Sequence, residues 1–357
     1  MSPKRVAIVG AGIGAQHLEG ILANRGAFTP QVVCDLDPAR AEALRALAPE
    51  LALETDLAAV LARDDVDIVD ICLPPMLHVP AMLQALAAGK DVICEKPLTG
   101  SLAEVDRIRA AAAEAGRLVV PVYQYRFGNG LRRLQHLLAQ DLPGKPLVAT
   151  VETHWDRRAP YYAVPWRGKK ATELGGALLG HAIHAHDLLT TLLGPVRRVF
   201  ARTATAVNPI ETEDCAAACL EMTSGALVTL SVTLGSAEEI TRLRFCFADL
   251  TAESALTPYR PAVEPWRLLP RGDGVAAKVD LALESFEPRQ EGFAGLFEAL
   301  GAHYAGSAPP PVTLEDAHRS LALVTAMYYS AATGTPVELP LARDHPAYSG
   351  WLPWLTV

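Results

Sequence analysis

The sequence is poor in the features that mark several protein classes. Its 357 residues carry 32 Lys and Arg against 40 Asp and Glu, a formal net charge of −8, and contain no basic run. Binding to nucleic acid requires a basic surface, so we expect no nucleic-acid partner. The six cysteines form no C-x-x-C pair and no zinc-ligand spacing, which predicts reduced thiols buried on strands.

A membrane span is also not indicated. The apolar segment 171–196 contains no Lys or Arg, but it carries Glu173, three histidines and Asp187, which makes it too polar to cross a bilayer. The N-terminal run MSPKRVAIVGAG is broken by glycines and offers no small-residue cleavage site, so it is not typical of a signal peptide. We therefore expect a cytoplasmic protein with no membrane partner.

The first third of the chain alternates short β-branched runs with Ala- and Leu-rich segments. This rhythm is typical of a parallel sheet covered by helices on both faces. The predicted strands are RVAIVG, QVVCD, LALE, VDIVDIC, DVIC and RLVVPV. Helices are predicted near 14–24, 38–47, 56–63, 77–88 and 101–115. We assign residues 1–122 to a dinucleotide-binding Rossmann domain.

The remaining residues, 123–357, show a different pattern of predicted strands and helices. Strands PLVATVETHW, VRRVFART, DCAAACLEM, ALVTLSVTL and TRLRFCFA follow one another with few helices between them, which predicts a large, open, mostly antiparallel sheet. Helices are expected near 129–140, 175–193 and 314–332. The fold class is therefore α/β, with residues 123–357 as a second domain.

A glycine-rich turn follows the first strand. Gly10, Gly12 and Ala15 fit the pattern G-x-G-x-x-A between a strand and a helix, where backbone amides face a pyrophosphate. Asp35 ends the second strand, at the distance where a carboxylate accepts hydrogen bonds from ribose hydroxyls and repels a 2′-phosphate. This pattern predicts NAD rather than NADP as the cofactor.

Two further strands end in segments rich in functional groups. The fourth strand is followed by Leu73-Pro74-Pro75-Met76-Leu77-His78, and the fifth ends in Cys94-Glu95-Lys96-Pro97. Both segments fall at the carboxyl edge of the predicted sheet, where open α/β sheets bind ligands. Lys96 is therefore expected to face the nicotinamide end of the cofactor.

The glycine turn, P-P-x-x-H and A-x-x-A-G-K-D-V-x-C-E-K-P, in this order, resemble the Gfo/Idh/MocA family of NAD(P)-dependent sugar and polyol oxidoreductases. The resemblance covers essentially the whole chain. It implies that Lys96 is a catalytic lysine, that Tyr123-Gln124-Tyr125-Arg126-Phe127 crosses into the second domain, and that Trp166-Arg167 reaches the cofactor from there. It also implies that residues 123–357 form the substrate-binding and oligomerisation domain, with a homodimer or homotetramer formed through the open sheet.

The family's second signature, G-G-x-x-x-D-x-G-x-H-x-x-D, is similar to residues 175–187. His184 falls on the catalytic histidine and Asp187 on the second aspartate. The chain departs from the signature at Gly180, where relatives usually have an aspartate, and at Ala182. His181 lies beside this gap. For His181 a buried core histidine, a substrate contact and a metal ligand with His184 and His154 are all open, but no carboxylate or cysteine completes a metal set, so no metal is predicted.

The resemblance implies an NAD-dependent oxidation of a secondary hydroxyl in a sugar, inositol or sugar acid, with Lys96 and His184 sharing the proton transfer. Two alternatives stay open: an enzyme that retains NAD and uses transient oxidation for glycoside cleavage or epimerisation, and a sugar sensor without turnover. The expected cofactor contacts are Gly10, Gly12, Ile13, Gly14, Asp35, Arg40, Pro74, Pro75, His78, Glu95, Lys96, Gln124, Trp166 and Arg167. The expected substrate contacts are Lys96, Tyr125, Arg126, His154, His181 and His184.

Overall fold

A computed structural model describes residues 2–355. The chain divides into two compact units. The first comprises residues 1–124 and 292–317, and the second comprises residues 125–291 and 318–357. The segment 292–317 was assigned from the sequence to the second domain, but it packs with the N-terminal unit.

The first unit contains a six-stranded parallel sheet in the order β3-β2-β1-β4-β5-β6. The strands are β1 (Lys4–Val9), β2 (Phe28–Cys34), β3 (Ala52–Glu54), β4 (Ile68–Ile71), β5 (Asp91–Cys94) and β6 (Val119–Pro121). Its helices are α1 (Gly14–Leu22), α2 (Pro38–Arg45), α3 (Leu57–Leu61), α4 (His78–Ala87) and α5 (Leu102–Ala115). The sheet reverses its strand order between β1 and β4, which is where such sheets bind ligands.

The sequence pattern did not indicate helix α12 (Gly292–Tyr304), which belongs to the first unit. It packs on α1, because Gly20 of α1 leaves room for Phe293 and Phe297, and a Cβ at Gly20 would lie 2.8 Å from the Phe297 ring. The ring of Tyr304 closes this packing with a hydrogen bond from its hydroxyl to Asp91 (3.0 Å). These contacts place the segment 292–317 in the first unit.

The second unit is built on an eight-stranded sheet in the order β13-β12-β11-β7-β10-β9-β8-β14. Its strands are β7 (Pro146–Asp156), β8 (Val196–Ala204), β9 (Cys215–Met222), β10 (Leu227–Thr233), β11 (Gly235–Phe247), β12 (Leu250–Glu253), β13 (Arg267–Pro270) and β14 (Val337–Glu338). All neighbours are antiparallel except β7 and β10. The prediction of a large, mostly antiparallel sheet is confirmed.

The other helices begin after β6. They are α6 (Asn129–Leu138), α7 (Ala159–Tyr162), α8 (Lys170–Glu173), α9 (Ala177–Gly180), α10 (Ile183–Leu193), α11 (Asp273–Glu284) and α13 (Leu314–Thr333). Short 3-10 helices cover Pro75–Leu77, Gln124–Arg126 and Leu352–Trp354. Within residues 2–355, no helix combines the length and apolarity that a bilayer span requires.

The cysteines only partly follow the prediction. All six thiols are free, and Cys34, Cys72 and Cys94 are buried in the first unit. Cys219, however, is exposed, because alternate residues of β9 point away from the core. The prediction that the cysteines are buried is therefore wrong for Cys219, and Cys215 and Cys246 are only half-buried.

Candidate active site

The glycine turn has the shape that a dinucleotide requires. Gly10 adopts φ +102°, and a Cβ there would collide with the carbonyl oxygen of Cys72 at the end of β4. At Gly12, no heavy atom of the described residues lies within 4 Å of the Cβ position. The amides of Gly12, Ile13 and Gly14 find no acceptor within residues 2–355, and the first turn of α1 has no acidic residue. This open, amide-lined turn fits a pyrophosphate.

Asp35 lies over the same turn. One oxygen of its carboxylate accepts a hydrogen bond from the amide of Ala11 (2.7 Å), and the other accepts one from the amide of Asp37 (2.8 Å). Arg40 is exposed on α2, and its Nε lies 3.5 Å from Asp37 Oδ2, so it pairs with Asp37 rather than with Asp35. Asp37 itself caps α2 through Ala39, so Asp35 is not needed as a cap. A negative charge next to the turn is unfavourable for a 2′-phosphate.

The segment after β4 is tied to the lysine loop through His78. The His78 ring is fully buried, with Nδ1 2.8 Å from the carbonyl oxygen of Pro97 and Nε2 2.7 Å from that of Leu73. Burial lowers the pKa of His78 despite these two carbonyl neighbours. The ring thus braces the two loops that follow β4 and β5, and its predicted contact with the cofactor stays a prediction.

Lys96 stands at the carboxyl end of β5, one strand away from the switch point. Its backbone amide donates to Glu95 Oε2 (3.0 Å), and the Lys96–Pro97 peptide bond is cis. The other Glu95 oxygen lies 3.1 Å from His17 Nε2, while His17 Nδ1 lies 2.8 Å from Asp70. A buried carboxylate–imidazole–carboxylate chain therefore fixes the backbone that carries Lys96.

The charge of His17 depends on the buried carboxylates beside it. Burial opposes the charged form of His17, but the Asp70 carboxylate outweighs it and holds the pKa of His17 well above its ordinary value. Burial would raise the pKa of Glu95, but the hydrogen bond from His17 and its charge leave it lowered. His17, Asp70 and Cys72 lie close enough to surround a metal ion. Both ring nitrogens, however, already meet carboxylates at hydrogen-bond distance, so a protonated imidazole accounts for the cluster.

Gln124 ends the first unit and was expected to contact the cofactor. Its side-chain oxygen is buried and has no hydrogen-bond partner among the described residues. A buried acceptor of this kind is costly unless a donor reaches it. The buried Gln124 oxygen, together with the open turn at Gly12, fits a bound cofactor in the first unit.

In the second unit, His184 lies near the start of α10 and is buried. The ring of Tyr125 stacks on it, with centroids 4.2 Å apart and planes inclined by 18°. Arg126 donates two hydrogen bonds to Asp187, of 2.7 and 2.6 Å, and Ser320 adds a third. Tyr125 thus lies beside His184, and the Arg126 charge is balanced by Asp187, which positions the helix. The substrate contacts expected of Tyr125 and Arg126 stay predictions.

The continuous helix predicted over 175–193 is wrong. Helix α9 ends at Gly180, His181 adopts φ −118°, and the amide of Ala182 donates back to Ala177 rather than to Leu178. The glycine and this wider turn break the helical hydrogen-bond pattern. His181 and His184 therefore do not share a continuous helix face, which removes the basis for the metal-ligand spacing.

The turn that begins α9 is held by a buried carboxylate that the sequence analysis missed. Glu213 accepts hydrogen bonds from the amides of Gly176 (3.0 Å) and Leu178 (2.9 Å) and from the hydroxyl of Tyr328 (2.9 Å). Burial raises the pKa of Glu213 to about 7, against these donors. A Cβ at Gly176 would collide with Glu213, so the second glycine of the signature is required by this contact.

The surroundings of Gly180 contain four polar side chains. The Tyr161 hydroxyl lies 3.1 Å from His181 Nε2 and accepts a hydrogen bond from Arg167, whose guanidinium also covers the Trp166 ring at 4.4 Å. Arg167 Nη1 lies 3.6 Å from Glu173 Oε1. Trp166 and Arg167 were predicted to contact the cofactor, and this stays a prediction. The sequence analysis missed Tyr161 and Glu173, which occupy no position of either signature.

His154 and His186 lie away from this group. Trp155 packs edge-on against His181, with centroids 5.4 Å apart, and neighbouring residues of β7 point to opposite faces. His154 therefore lies on the other face of the sheet, where its Nε2 meets Ser231 (2.8 Å), and we leave it out of the site. His186 is fully buried without a hydrogen-bond partner among the described residues, and burial lowers its pKa to about 3.

Comparisons with known proteins agree with this architecture. Residues 4–123 match a profile described as oxidoreductase family, NAD-binding Rossmann fold, and residues 131–249 match the GFO/IDH/MocA C-terminal domain. Inositol 2-dehydrogenase of Rhodococcus erythropolis is 32% identical over 240 residues, 66% of this chain and 67% of that protein. The chain belongs to the Gfo/Idh/MocA oxidoreductase family. Its cofactor is therefore NAD, and the chain is an NAD-dependent dehydrogenase.

Two other relatives are informative. The WlbA dehydrogenase of Bordetella pertussis, solved with NADH and UDP-GlcNAcA, is 27% identical with a TM-score of 0.83, covering 95% of this chain and 100% of that one. A 2,7-anhydro-N-acetylneuraminate hydratase of Mediterraneibacter gnavus is 30% identical over 191 residues, which is 53% of this chain and 49% of that protein. The matched region thus spans about half of the hydratase.

Proposed function

We propose that this chain oxidises one secondary hydroxyl of a cyclic sugar, inositol or sugar acid, with Lys96 and His184 as its acid–base residues. The observation that carries the proposal is the position of Lys96. It follows β5 at the same sheet edge as the glycine turn, and a buried chain from His17 to Glu95 holds its backbone. The inositol, sugar-acid and anhydro-sugar names of the relatives support the substrate class.

NAD, when bound, supplies the hydride acceptor at C4 of its nicotinamide ring. The chain's own residues handle the proton. The hydroxyl proton of the substrate passes to Lys96 Nζ or to a ring nitrogen of His184, while the carbon loses its hydrogen with both electrons and becomes a carbonyl. The stacked Tyr125 ring holds His184 in one orientation, and burial of that ring keeps water away. The products are a ketone or lactone, NADH and a proton.

We also propose a homo-oligomer assembled through the open sheet. The face of this sheet turned away from its core carries Val148, Cys219 and Leu227, all of which are exposed, and Phe200, which is partly exposed. The register places these residues on adjacent strands, because Val148 pairs with Leu227 and Cys219 pairs with Phe200. Exposed apolar side chains in the middle of a sheet are typical of an interface.

The direct test is a screen of inositols, aldoses and nucleotide-linked sugar acids with NAD at alkaline pH, followed by NADH absorbance. We expect NADH to accumulate in proportion to the substrate consumed. An alternative is a reaction without net redox change, which the similarity to a hydratase favours. In that case the sugar would be converted, as seen by NMR, while NADH would not accumulate.

A further inference from the structure

Gly180 is a partly exposed residue in an otherwise buried segment. Between Gly175 and Thr190, Gly180 is the one residue that is not buried. Apart from Leu179, His181 and the backbone of its own helix, the one heavy atom of the described residues within 4 Å of the position of its missing Cβ is Glu173 Oε1, at 4.0 Å. Gly180 ends α9, and His184 lies in the first turn of α10. The space beside the histidine helix is therefore bordered by a carboxylate.

Glu173 is buried with only 5% of its surface exposed. A buried carboxylate is costly unless charges or donors balance it. Glu173 Oε2 accepts the amide of Gly168 (2.5 Å), which leaves Oε1 turned toward Arg167 (3.6 Å) and toward the open position at Gly180. The chain reaches this arrangement through Leu174, which has φ +68° and reverses direction between α8 and α9.

Tyr161, Arg167 and His181 contact one another beside Glu173. Burial raises the pKa of Tyr161 to about 12, so the phenol is neutral at ordinary pH. Its oxygen accepts a hydrogen bond from Arg167 and lies 3.1 Å from His181 Nε2. His181 Nε2 therefore already contacts the Tyr161 hydroxyl, and Glu173 Oε1 is the carboxylate oxygen that borders the open position at Gly180.

We propose that Glu173 is a substrate-binding residue whose Oε1 accepts a hydrogen bond from a hydroxyl of the sugar or polyol in the space beside Gly180. The inference rests on the function proposed above and extends it to a residue outside both sequence signatures. It also accounts for the glycine: Gly180 and Glu173 form a matched pair, in which the absent side chain makes room and the neighbouring helix supplies the carboxylate.

A carboxylate exchange tests the pair. Glu173→Gln keeps the size of the side chain and an oxygen for Gly168, so kcat/KM should fall roughly 10- to 100-fold, the worth of a hydrogen bond to a charged group. The kcat/KM of Gly180→Asp alone should also fall, because the new carboxylate and that of Glu173 repel each other. Combining Glu173→Gln with Gly180→Asp should raise kcat/KM at least about 5-fold above Glu173→Gln, since one carboxylate is restored.

The matched control is Glu211→Gln. Glu211 accepts the amide of Lys170 (3.0 Å) much as Glu173 accepts that of Gly168, but it is exposed, so kcat/KM should not change. Melting temperature and NAD affinity are measured for every variant, because a purely structural Glu173 would lower the melting temperature and leave the kinetics of the folded fraction intact. That result, or a double variant no better than Glu173→Gln, would overturn the proposal.

Binding separates this proposal from the proposed function. Calorimetry of myo-inositol and of UDP-linked sugar acid in the presence of NADH reports recognition without turnover. Binding weakened roughly 10-fold or more by Glu173→Gln supports the proposal even if no NADH is formed in the screen. Turnover that needs Lys96 and His184 but survives Glu173→Gln would leave the dehydrogenase and remove Glu173 from it. Absence of both binding and turnover would contradict both.

Discussion

At the scale of single residues, we base the predicted preference between NAD and NADP on Asp35. Its carboxylate is held over the glycine turn by the amides of Ala11 and Asp37, and Arg40 is engaged with Asp37. We predict tighter binding of NAD than of NADP, and a smaller preference in Asp35→Ser, because the repulsion of a 2′-phosphate is then removed. Fluorescence titration of both cofactors measures this. Tighter binding of NADP by the wild type would show that Asp35 does not face the ribose.

The histidines of α10 should behave differently from one another. His184→Ala should lose at least ~10²-fold in kcat, the usual worth of a positioned acid–base group. His186→Leu should keep kcat and remove an acid sensitivity. The folded-state pKa of His186 is about 3, against an ordinary value of 6.5, so the unfolded chain binds the extra proton. Stability from this group is present above pH 6.5 and is lost as the pH falls.

Between pH 7 and pH 5 this loss amounts to about 2 kcal/mol of unfolding free energy. Urea denaturation followed by tryptophan fluorescence measures it selectively, because all five tryptophans lie in the second unit. The wild type should lose about 2 kcal/mol more than His186→Leu over this interval. Equal losses, or a large drop in kcat in His186→Leu, would mean that His186 is not a buried neutral histidine without a catalytic role.

At the scale of elements, α1, β4 and β5 are joined by the His17 chain. His17→Leu removes the imidazolium between the buried Asp70 and Glu95 carboxylates, so we predict a loss of roughly 3–5 kcal/mol from the first unit. Adding Asp70→Asn should return part of it. Because the pKa of His17 is raised in the folded state, its stabilisation is complete below pH 6.5 and declines as the pH rises toward the folded-state pKa.

The first unit contains no tryptophan, so tryptophan fluorescence does not report on it. Far-UV circular dichroism and NAD binding are measured instead. A ¹⁵N NMR spectrum that shows a neutral His17 ring at pH 7.5, roughly one unit above the ordinary histidine pKa, would contradict the charge assignment. So would a His17→Leu variant as stable as the wild type at pH 6. The dependence on pH is opposite in sign to that of His186, which allows the two units to be distinguished in one titration.

Much of the element pattern was predictable because it is local. The strands and helices of the first unit follow from alternating β-branched and Ala-rich runs, and Ser101 caps α5 as its capping box indicates, accepting the amide of Glu104 (3.1 Å). The placement of α12 was not predictable, because it depends on space left by Gly20 some 270 residues earlier in the chain. The break after Gly180 was missed because apolar periodicity continues through it.

The site shows the same division between local and long-range information. Lys96 and His184 stand in recognisable motifs, and their placement on β5 and α10 followed from those motifs. Glu173 and Glu213 were missed because no periodic pattern links them to Gly180 and Gly176. Their roles arise from chain reversals that bring a carboxylate to a glycine. His154 was misplaced because the sequence does not say which residues of a strand face the helix.

At the scale of the whole molecule, the exposed sheet face predicts assembly. Leu227→Asp places a charge on this face and should reduce the mass of the proposed homo-oligomer. Leu281→Asp is the control, because Leu281 is equally apolar and more exposed but lies on α11. Size-exclusion chromatography with light scattering measures the mass. A monomeric wild type, or a Leu227→Asp variant of unchanged mass, would contradict the interface.

The measurement that tests the account most directly is the turnover of Lys96→Met beside its affinity for NAD. Lys96 is assigned to the substrate hydroxyl, so kcat should fall on the order of 10² to 10⁴-fold while the dissociation constant of NAD changes little. NADH formation on the best substrate of the screen gives kcat, and calorimetry gives the affinity. Wild-type turnover in Lys96→Met would remove Lys96 from the chemistry and contradict the proposed mechanism.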